Sequence, residues 1–462
     1  MKLELHKYDI FPKVFPLGKH TVTIKPMGKS WAFQDDKTYI IHIVGMSERV
    51  GHNEYHSSAS KNTDNLTTIE LKANNEGNLV FTCDFKKEQE YFVRIFNEYT
   101  VTDAWFDVAV QLSIYAVEKD LAGREPLIGD LHVHTTISDG AQSPEIVAAI
   151  YRENGYDFTA ISDHKRFRGS LNAREAYKDI KTDFLIVQGE EVHSPDSYVH
   201  IINFGSNYSV AALWEGNDQS KEVGDDPVYR ALPGVTPPDM ITEAQYFEEV
   251  DEISKGLGDI PEGVNGFQYA ASVWVFNKIK EAGGLGVYCH PFWIEDTYNI
   301  PEKLHDFFVE NAPFDAFEVV SDFDLCGLQA LYYYEDRAKG RIYPVVGTSD
   351  SHNSLHATTE KTGKTMVFSP KNEKDNIIQS IKNFYSVAIA VYKPNARNVI
   401  GSFRLAKYAN FLYDNYFPIH DEICREEGRL MREYACGDQK AKERLNEIGM
   451  QIYDLRRKYF AW

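Results

Sequence analysis

The first 120 residues contain short segments in which apolar and polar side chains alternate. Alternation with a period of two residues is typical of strands with one buried face. Several short strands at this spacing predict an antiparallel β-sandwich as the N-terminal domain, residues 1–120. The charged stretch 118–126, which contains Gly123 and Pro126, predicts a linker after it. The alternating segments are 20–24, 39–44, 66–71, 79–85, 91–96 and 106–115.

From Asp130 the pattern changes to short apolar strands separated by helical or long connecting segments, which is typical of a parallel β/α arrangement. Helices are predicted at 144–154, 268–282 and 328–339, because each of these segments is followed by glycine. Seven candidate strands suit a closed or nearly closed barrel over residues 127–396. The candidate strands are 131–134, 158–162, 184–188, 198–204, 285–289, 316–320 and 342–347.

Two further segments lie outside this pattern. Residues 205–264 are rich in glycine, proline and acidic residues. They are too long for a simple loop, so we expect an insertion over the mouth of the barrel, where the strands' carboxyl ends meet. In residues 397–462 apolar positions recur at three- and four-residue steps, with Gly437 and Asp438 as a break. This pattern predicts a C-terminal helical segment that packs against the barrel or a partner chain.

Composition limits the classes of partner. The net charge of -20 over 462 residues opposes non-specific binding to nucleic acid or to an anionic membrane, because both require a basic surface. The five cysteines include no Cys-x-x-Cys pair, so neither a disulfide framework nor a thiolate zinc site is indicated. The first residues lack an apolar core of signal-peptide type, and no later run is long enough to span a bilayer. We therefore expect a cytoplasmic protein with a small-molecule substrate.

Candidate metal ligands follow the predicted strands one after another. His132 and His134 are two positions apart on an extended segment, so both imidazoles share one face and can reach one ion. Because the carboxyl ends of parallel strands meet at one mouth, distant ligands are expected to converge there. Histidines scattered through a core by chance would not favour strand ends. The candidates are His132, His134, Asp139, Asp163, His164, Glu190, Glu191, His200, His290, Asp350 and His352.

This ligand set also indicates the type of ion. Histidines with carboxylates and no thiolates suit borderline divalent ions such as Zn, Mn or Fe. The number of ligands favours two or three ions over one, since each catalytic ion needs three or four protein groups and an open position. Water bound there is acidified toward about neutral pH and becomes a nucleophile, while the ions neutralise charge that develops on a phosphoryl or carbonyl oxygen.

The ordered series of motifs resembles the PHP (polymerase and histidinol phosphatase) family of metal-dependent phosphoesterases. The resemblance covers about residues 127–356 and implies a distorted (β/α)7 barrel that holds two or three divalent ions. The matching motifs are Asp130-Leu131-His132-Val133-His134-Thr135 with Ser138-Asp139-Gly140, Ser162-Asp163-His164, the Gly-x-Glu at 189–191, His200, Cys289-His290-Pro291 and the Asp-x-His at 350–352.

The resemblance also implies a role for each ligand. One ion would be held by His132, His134, Glu191 and Asp350, which would also hold a metal-bridging hydroxide as the nucleophile. Glu191 would bridge to a second ion held by His200 and His290. A third ion would be held by Asp139, His164 and His352, although some relatives have histidine where Asp139 stands. Glu190 in place of Glu191 stays open as the bridging ligand.

Other residues near these motifs have two readings each. Lys165, Arg166 and Arg168 directly follow His164 and either contact a substrate phosphate, for which arginine offers a bidentate fork, or form a solvated loop. Phe292 and Trp293 either line a pocket for an organic moiety or pack the hinge after His290. His193 and His356 either support the ligands or are bystanders, and Asp163 is a candidate to orient a ligand.

These features predict an enzyme, a metal-dependent hydrolase. We expect a phosphomonoesterase that acts on a small phosphorylated metabolite. The alternative is a metallohydrolase of carboxylic esters, carbamates or amides, but amidohydrolases commonly end in a single aspartate, so Asp350 with His352 favours the phosphoesterase. The acidic net charge disfavours an exonuclease or a polymerase-associated proofreading module. The nearly full ligand set disfavours a non-catalytic metal-binding module. The sequence does not predict the oligomeric state.

Overall fold

The structure is a computed structural model that describes residues 3–47, 66–97, 110–215, 230–294, 297–322, 327–357, 362–392 and 396–462. The chain divides into two compact units. Unit 1 comprises Met1–Arg124, Lys407–Glu422 and Gln451–Trp462, and unit 2 comprises Glu125–Ala406 and Ile423–Met450. Within the described ranges, none of the helices combines the length and apolar character needed to cross a bilayer.

Unit 1 contains two sheets. Its strands in the described residues are β1 (Tyr8–Phe11), β2 (Val14–Pro16), β3 (Gly18–Pro26), β4 (Tyr39–Gly45), β5 (Leu66–Leu71), β6 (Leu79–Phe85), β7 (Gln89–Asn97) and β8 (Val110–Val117). One sheet has the order β1-β3-β6 and the other the order β2-β8-β7-β4-β5. Both sheets contribute to one hydrophobic cluster, with Ile24 and Phe81 from the first and Ile41 and Val93 from the second. The six predicted strands therefore form, although residues 106–109 of the last one lie outside the described residues.

Unit 2 is a mixed α/β structure, as the sequence predicts. In the described residues, ten of its strands form one sheet with the order β15-β14-β13-β12-β11-β10-β9-β16-β17-β18. These strands are β9 (Glu125–Asp130), β10 (Phe158–Ile161), β11 (Leu185–His193), β12 (His200–Phe204), β13 (Leu285–Tyr288), β14 (Ala316–Val320), β15 (Val345–Gly347), β16 (Thr362–Ser369), β17 (Ser386–Tyr392) and β18 (Ala396–Ile400).

The predicted all-parallel arrangement is wrong at one strand. β9, β10 and β11 run parallel, as do β13, β14 and β15, but β12 is antiparallel to both of its neighbours. The connection from His193 to His200 is a few residues long, which allows a hairpin but not the crossover that a parallel neighbour needs. His200 therefore begins its strand at the edge of the sheet where the neighbouring parallel strands end.

The sheet curves until its first and seventh strands approach each other. Val133, just after β9, forms a parallel bridge with Ser351, just after β15. The backbone N–H of His134 donates to the carbonyl of Ser351 at 2.9 Å. Before these strand ends, the Thr365 hydroxyl on β16 donates to the Gly347 carbonyl at 2.7 Å and accepts the Gly347 N–H at 3.0 Å. The ends of β9 and β15 are thus held together at the mouth.

Three strands after residue 360 are not among the seven predicted ones. β16 pairs antiparallel with β9 and with β17, and β17 pairs with β18. Residues 386–390 of β17 are all buried. A strand buried on both faces has no alternation by which a sequence pattern could reveal it. The sheet therefore extends beyond the predicted seven strands.

The helices follow the predicted periodicity closely. The helix α1 begins at Pro144 after Ser143, and its apolar stripe, which includes Val147 and Ile150, is buried. The predicted break at 437–438 separates two C-terminal helices, and a second break near Gly449 divides the last predicted helix. The helices are α1 (Pro144–Glu153), α2 (Arg168–Ala176), α3 (Glu243–Gly256), α4 (Gly266–Glu281), α5 (Glu302–Asn311), α6 (Leu328–Ala338), α7 (Ser354–Ala357), α8 (Lys374–Lys382), α9 (Phe403–Asn415), α10 (Phe417–Ala435), α11 (Gln439–Ile448) and α12 (Gln451–Tyr459).

The insertion after β12 starts away from the mouth, contrary to expectation. Because β12 is antiparallel, Gly205 follows the end of the strand opposite His200. The N–H of Asn207 donates to the carbonyl of Ala282 at 2.8 Å, just before β13 begins. The helix α3 of the insertion packs against α4, where the indole N–H of Trp274 donates to Glu249 at 2.7 Å. The described start of the insertion thus lies beside the outer helices.

Candidate metal centre

The segment after β9 brings two histidines to the mouth. Val133 pairs with Ser351, so His132 and His134 on either side of it point to the opposite face of the extended chain. Their ring centroids are 5.1 Å apart. The buried carboxylate of Asp130 accepts the backbone N–H groups of His132 at 3.1 Å and Ser349 at 3.2 Å. This hydrogen bonding fixes the histidine segment against the chain after β15.

Glu191 on β11 lies at the centre of the cluster and is almost fully buried. Its Oε2 atom is 2.8–3.4 Å from one nitrogen of each of three histidines, and its Oε1 atom is 2.9–3.2 Å from one nitrogen of each of three others. The first group is His132, His134 and His164; the second is His193, His200 and His290. A carboxylate with this surrounding can bridge two ions.

Glu190 points to the other side of β11, as adjacent strand residues do. Its buried carboxylate accepts hydrogen bonds from Asn203 at 2.9 Å, from Ser209 at 2.6 Å and from the backbone N–H of Val210 at 2.6 Å. It therefore anchors the start of the insertion, and Glu191 is the glutamate that faces the histidines.

Asp350 completes an inner donor set, which consists of His132, His134, Glu191 and Asp350. Its Oδ1 atom is 3.0 Å from Nε2 of His132 and 2.9 Å from Nε2 of His134. The backbone of Asp350 has a φ of 50°, a conformation that non-glycine residues rarely adopt. Strain of this kind persists where the surroundings determine the conformation, and here it aims the carboxylate at the two histidines.

An outer donor set lies nearer to solvent. The Oδ2 atom of Asp139 is 3.3 Å from Nε2 of His164 and 3.4 Å from Nε2 of His352. Asp139 is exposed and the two histidines are half-buried. A Cβ on Gly140 would lie 2.6 Å from the carbonyl of His134, so the turn that presents Asp139 requires glycine.

The buried aspartate Asp163 holds the loop that carries Asp139. Its Oδ1 atom accepts the Thr135 N–H at 2.7 Å and the Ser138 hydroxyl at 2.8 Å, and its Oδ2 atom accepts the Thr135 hydroxyl at 2.8 Å. Asp163 thus holds the loop that carries Asp139, and a role in orienting a ligand stays a prediction.

The electrostatics keep three of the donors, Glu191, His134 and His200, in forms that can bind a cation. Burial opposes ionisation of Glu191, but the imidazoles of His193 and His200 outweigh it and hold its pKa well below the usual range. Burial lowers the pKa of His134 and of His200 to about 4. At neutral pH the central carboxylate is therefore ionised and these two imidazoles are neutral, which are the forms that bind metal ions.

The donors fit a group of divalent ions. In the described residues, two buried atoms at the centre, Nε2 of His132 and Oε2 of Glu191, have nitrogen or oxygen atoms within 2.8–3.4 Å but form no hydrogen bond of good geometry. Buried polar atoms of native proteins are otherwise almost always paired, so these two point to a cation between them. The candidate donor sets, each with atoms within 4.8 Å of one another, are His132, His134, Glu191 and Asp350; Glu191, His200 and His290; and His134, Asp139, His164 and His352.

The structure thus brings together all nine residues to which the family resemblance gives a ligand role. The basic residues after His164 lie beside the cluster: the Lys165 N–H donates to the Glu191 carbonyl at 2.8 Å, and Arg168 is the first residue of α2. Lys165, Arg166 and Arg168 are half-buried, and substrate contact by them stays a prediction.

The aromatic residues after His290 differ from each other. Phe292 is buried and stacks on Tyr332 with ring centroids 4.7 Å apart. Trp293 is half-buried, with its ring centroid 6.1 Å from that of His200. Hinge packing therefore describes Phe292, whereas Trp293 lies at the wall of the histidine cluster.

Three described residues in or near the cluster were not predicted as ligands, and one of them, Cys289, has its sulfur within 4.8 Å of donor atoms of His132 and His290. His193 has two readings in the sequence, and its Nε2 atom lies 3.2 Å from Oε1 of Glu191, as close as that of His290. Glu318 on β14 was missed, and its Oε2 atom lies 3.4 Å from Nδ1 of His132. A single glutamate within the apolar run Ala316–Val320 was the available signal. The side chain of His356 lies outside the described residues.

Comparison with known proteins gives distant similarities. No family model matches the chain. The curated 5'-3' exoribonuclease of Haemophilus influenzae is 25% identical in an alignment of length 201 that covers 38% of this chain and 71% of that protein. A solved two-domain protein of Bacteroides vulgatus, which contains a predicted PHP-like metal-dependent phosphoesterase, is 16% identical with a TM-score of 0.40 over 63% of this chain and 71% of that one. A solved amidohydrolase of Chromobacterium violaceum is 22% identical with a TM-score of 0.30 over 49% of this chain and 87% of that one.

Proposed function

We propose that this chain is a metal-dependent hydrolase of the PHP type and acts as a phosphomonoesterase on a small phosphorylated metabolite. The observation that carries the proposal is the position of Glu191, which faces three imidazole nitrogens with each of its two oxygens. Such an arrangement suits a carboxylate that bridges two catalytic ions. The proposal includes a distorted (β/α)7 barrel for unit 2 and a β-sandwich for unit 1.

The proposed ligands divide into three sets. The first is His132, His134, Glu191 and Asp350, and the second is Glu191, His200 and His290. The third is Asp139, His164 and His352, which is the most exposed and the easiest to empty. With imidazole and carboxylate donors, Zn, Mn and Fe are the proposed ions.

Divalent ions bound there would supply an acidified water as nucleophile and would neutralise charge that develops on the phosphoryl oxygens. The residues of the chain orient and select the substrate. Lys165, Arg166 and Arg168, which lie at the mouth, are proposed to bind the phosphate oxygens. Trp293, half-buried beside His200, is proposed to contact the organic part of the substrate.

Hydrolysis of a phosphodiester is the second candidate. It is favoured by the similarity to the Haemophilus influenzae exoribonuclease, which covers 71% of that protein. The net charge of -20 opposes binding to a long nucleic acid but leaves a short oligonucleotide as a possible substrate.

The test is a substrate panel with purified protein loaded with Mn or Zn. The panel contains small phosphomonoesters, short RNA oligonucleotides, aryl esters and carbamates. We expect release of phosphate from at least one phosphomonoester, and we expect Asp350→Asn to abolish it. Asp336→Asn is a matched control, because Asp336 is also buried but pairs with Arg341 and Tyr343 away from the cluster.

Two results would overturn the proposal. Turnover of aryl esters or carbamates without phosphate release from any phosphomonoester would assign the centre to the alternative hydrolase. Equal activity of Asp350→Asn and the unmodified protein would show that the centre is not the active site.

A further inference from the structure

Glu318 is a buried carboxylate for which the proposed ligand sets have no role. It lies in β14 among apolar neighbours and has no solvent exposure. A carboxylate in such surroundings is costly unless charged or polar partners surround it. Its partners therefore indicate why it is there.

The partners of the Glu318 carboxylate all belong to the mouth of unit 2. Its Oε1 atom accepts the backbone N–H of His290 at 2.9 Å. Its Oε2 atom accepts the hydroxyl of Thr348 at 2.5 Å and lies 3.4 Å from Nδ1 of His132. One carboxylate thus reaches the ends of three strands, β9, β13 and β15.

The contact of Glu318 with His132 bears on which ring nitrogen of His132 carries the proton. On the opposite side of the ring, Nε2 of His132 lies 3.0 Å from Asp350 and 3.3 Å from Glu191. A neutral imidazole carries one proton, and a cation bound to Nε2 would leave that proton on Nδ1, where the carboxylate of Glu318 accepts it. The lone pair of Nε2 then points at the inner donor set.

The contact with His290 acts on the backbone. His290 has a φ of 24°, which is unusual for a residue with a side chain. Its N–H is held by Glu318, and the side chain of Glu318 is held in turn by Thr348. This anchoring maintains the strained conformation that directs the His290 imidazole toward Glu191.

We infer that Glu318 is a positioning residue of the metal centre, which fixes the tautomer of His132 and the backbone of His290. This inference rests on the proposed function, because it presupposes that His132 and His290 bind ions. A carboxylate behind a ligating histidine raises the basicity of the ligand, and its loss typically lowers metal affinity by about 10–100-fold.

The experiment measures the affinity of the full chain for Zn²⁺ and Mn²⁺ by competition with a chelator. Glu318→Gln has the same size as the native side chain, but its amide can donate to Nδ1 of His132 and so favours the wrong tautomer. We expect it to lower the affinity by about 10–100-fold. The ¹⁵N shifts of the histidine rings in the zinc-loaded protein are expected to show the change of tautomer, which a purely structural role would not produce.

Glu190→Gln is the matched control, because Glu190 is also a buried glutamate of unit 2 but faces away from the histidines. It is expected to leave metal affinity unchanged. If Glu318→Gln does not fold, Glu318→Asp keeps the charge and shortens the reach to His132, and it is expected to lower the affinity as well.

Different results reject different statements. If the unmodified protein binds neither ion, the proposed function fails, and the inference fails with it. If the unmodified protein binds metal and the Glu318 variants bind it equally well, only the positioning role is rejected. An equal loss in Glu190→Gln also rejects it, because any buried glutamate would then have the same effect.

Discussion

Replacing Glu191 with glutamine keeps the size of the side chain and removes its charge. In the structure this carboxylate is the point at which six histidines meet, three on each oxygen. A glutamine amide offers one weakly binding oxygen and one NH₂ group, which repels a cation. The substitution therefore acts on two proposed ion sites at once.

The geometry gives the size of the expected effect. The first two proposed ligand sets both contain Glu191. The third set does not contain it, because its contacts join Asp139 Oδ2 to His164 Nε2 and His352 Nε2. We expect the metal content of Glu191→Gln to fall by about two ions per chain and to leave at most about one, with activity lost in parallel.

The assay is elemental analysis of purified protein after dialysis, with Glu190→Gln beside it. Glu190 accepts four hydrogen bonds, from Asn203, Ser209 and the backbone of residues 210 and 211. Its substitution is expected to lower the unfolding temperature and to leave the metal content unchanged. Full metal content in Glu191→Gln would refute the bridging assignment, and loss of metal in Glu190→Gln alone would transfer that role to Glu190.

Two further predictions concern stability. Arg152 is fully buried and donates to Glu427 on α10 at 2.7 Å, so Arg152→Met leaves a buried carboxylate without its partner and is expected to cost about 3–5 kcal/mol in urea unfolding. Arg429→Met breaks half-exposed pairs on the same helix and is expected to cost no more than about 1 kcal/mol; equal losses in the two variants would contradict this reasoning. Burial lowers the pKa of His305 to about 3, so between this value and about 6.5 only the unfolded chain binds the proton, and stability falls as the pH drops. At pH 5 this loss of stability amounts to about 2 kcal/mol. His305→Gln is expected to remove the loss. Identical profiles of unfolding free energy against pH for the variant and the unmodified protein would contradict this prediction.

Most of the candidate site could be predicted from the sequence because its ligands follow two simple rules. Side chains two apart on a strand share a face, which pairs His132 with His134. Polar residues after successive strands converge at one mouth, which adds His164, His290 and Asp350. Both rules are local or topological and need no knowledge of side-chain packing.

The choice between Glu190 and Glu191 could not be made in this way. Alternation places the two side chains on opposite faces of β11, but it does not say which face is inside. The register between β11 and β12 decides which glutamate faces the histidines, because it pairs Glu191 with Ile202 and Glu190 with Asn203. That register depends on the antiparallel β12, whose direction the pattern of apolar runs does not reveal.

Glu318 escaped prediction for a different reason. It comes from the middle of a short apolar strand, and its role depends on contacts with His132, His290 and Thr348, all distant in sequence. No spacing rule connects these residues. Only the cost of burying a carboxylate marks Glu318 as unusual, and that signal names no partner.

The bridge between Val133 and Ser351 also joins two segments that the ribosome makes at different times. His134 and Asp350, which it brings together, are 216 positions apart in the chain. At about 5–20 residues per second, a ribosome needs about 10–40 s to make the second after the first. Throughout that interval the nascent polypeptide carries the early histidines without their last carboxylate. Capture of the ion proposed for this donor set is therefore expected to be a late event of biosynthesis, after the strands that carry its earlier ligands have been made.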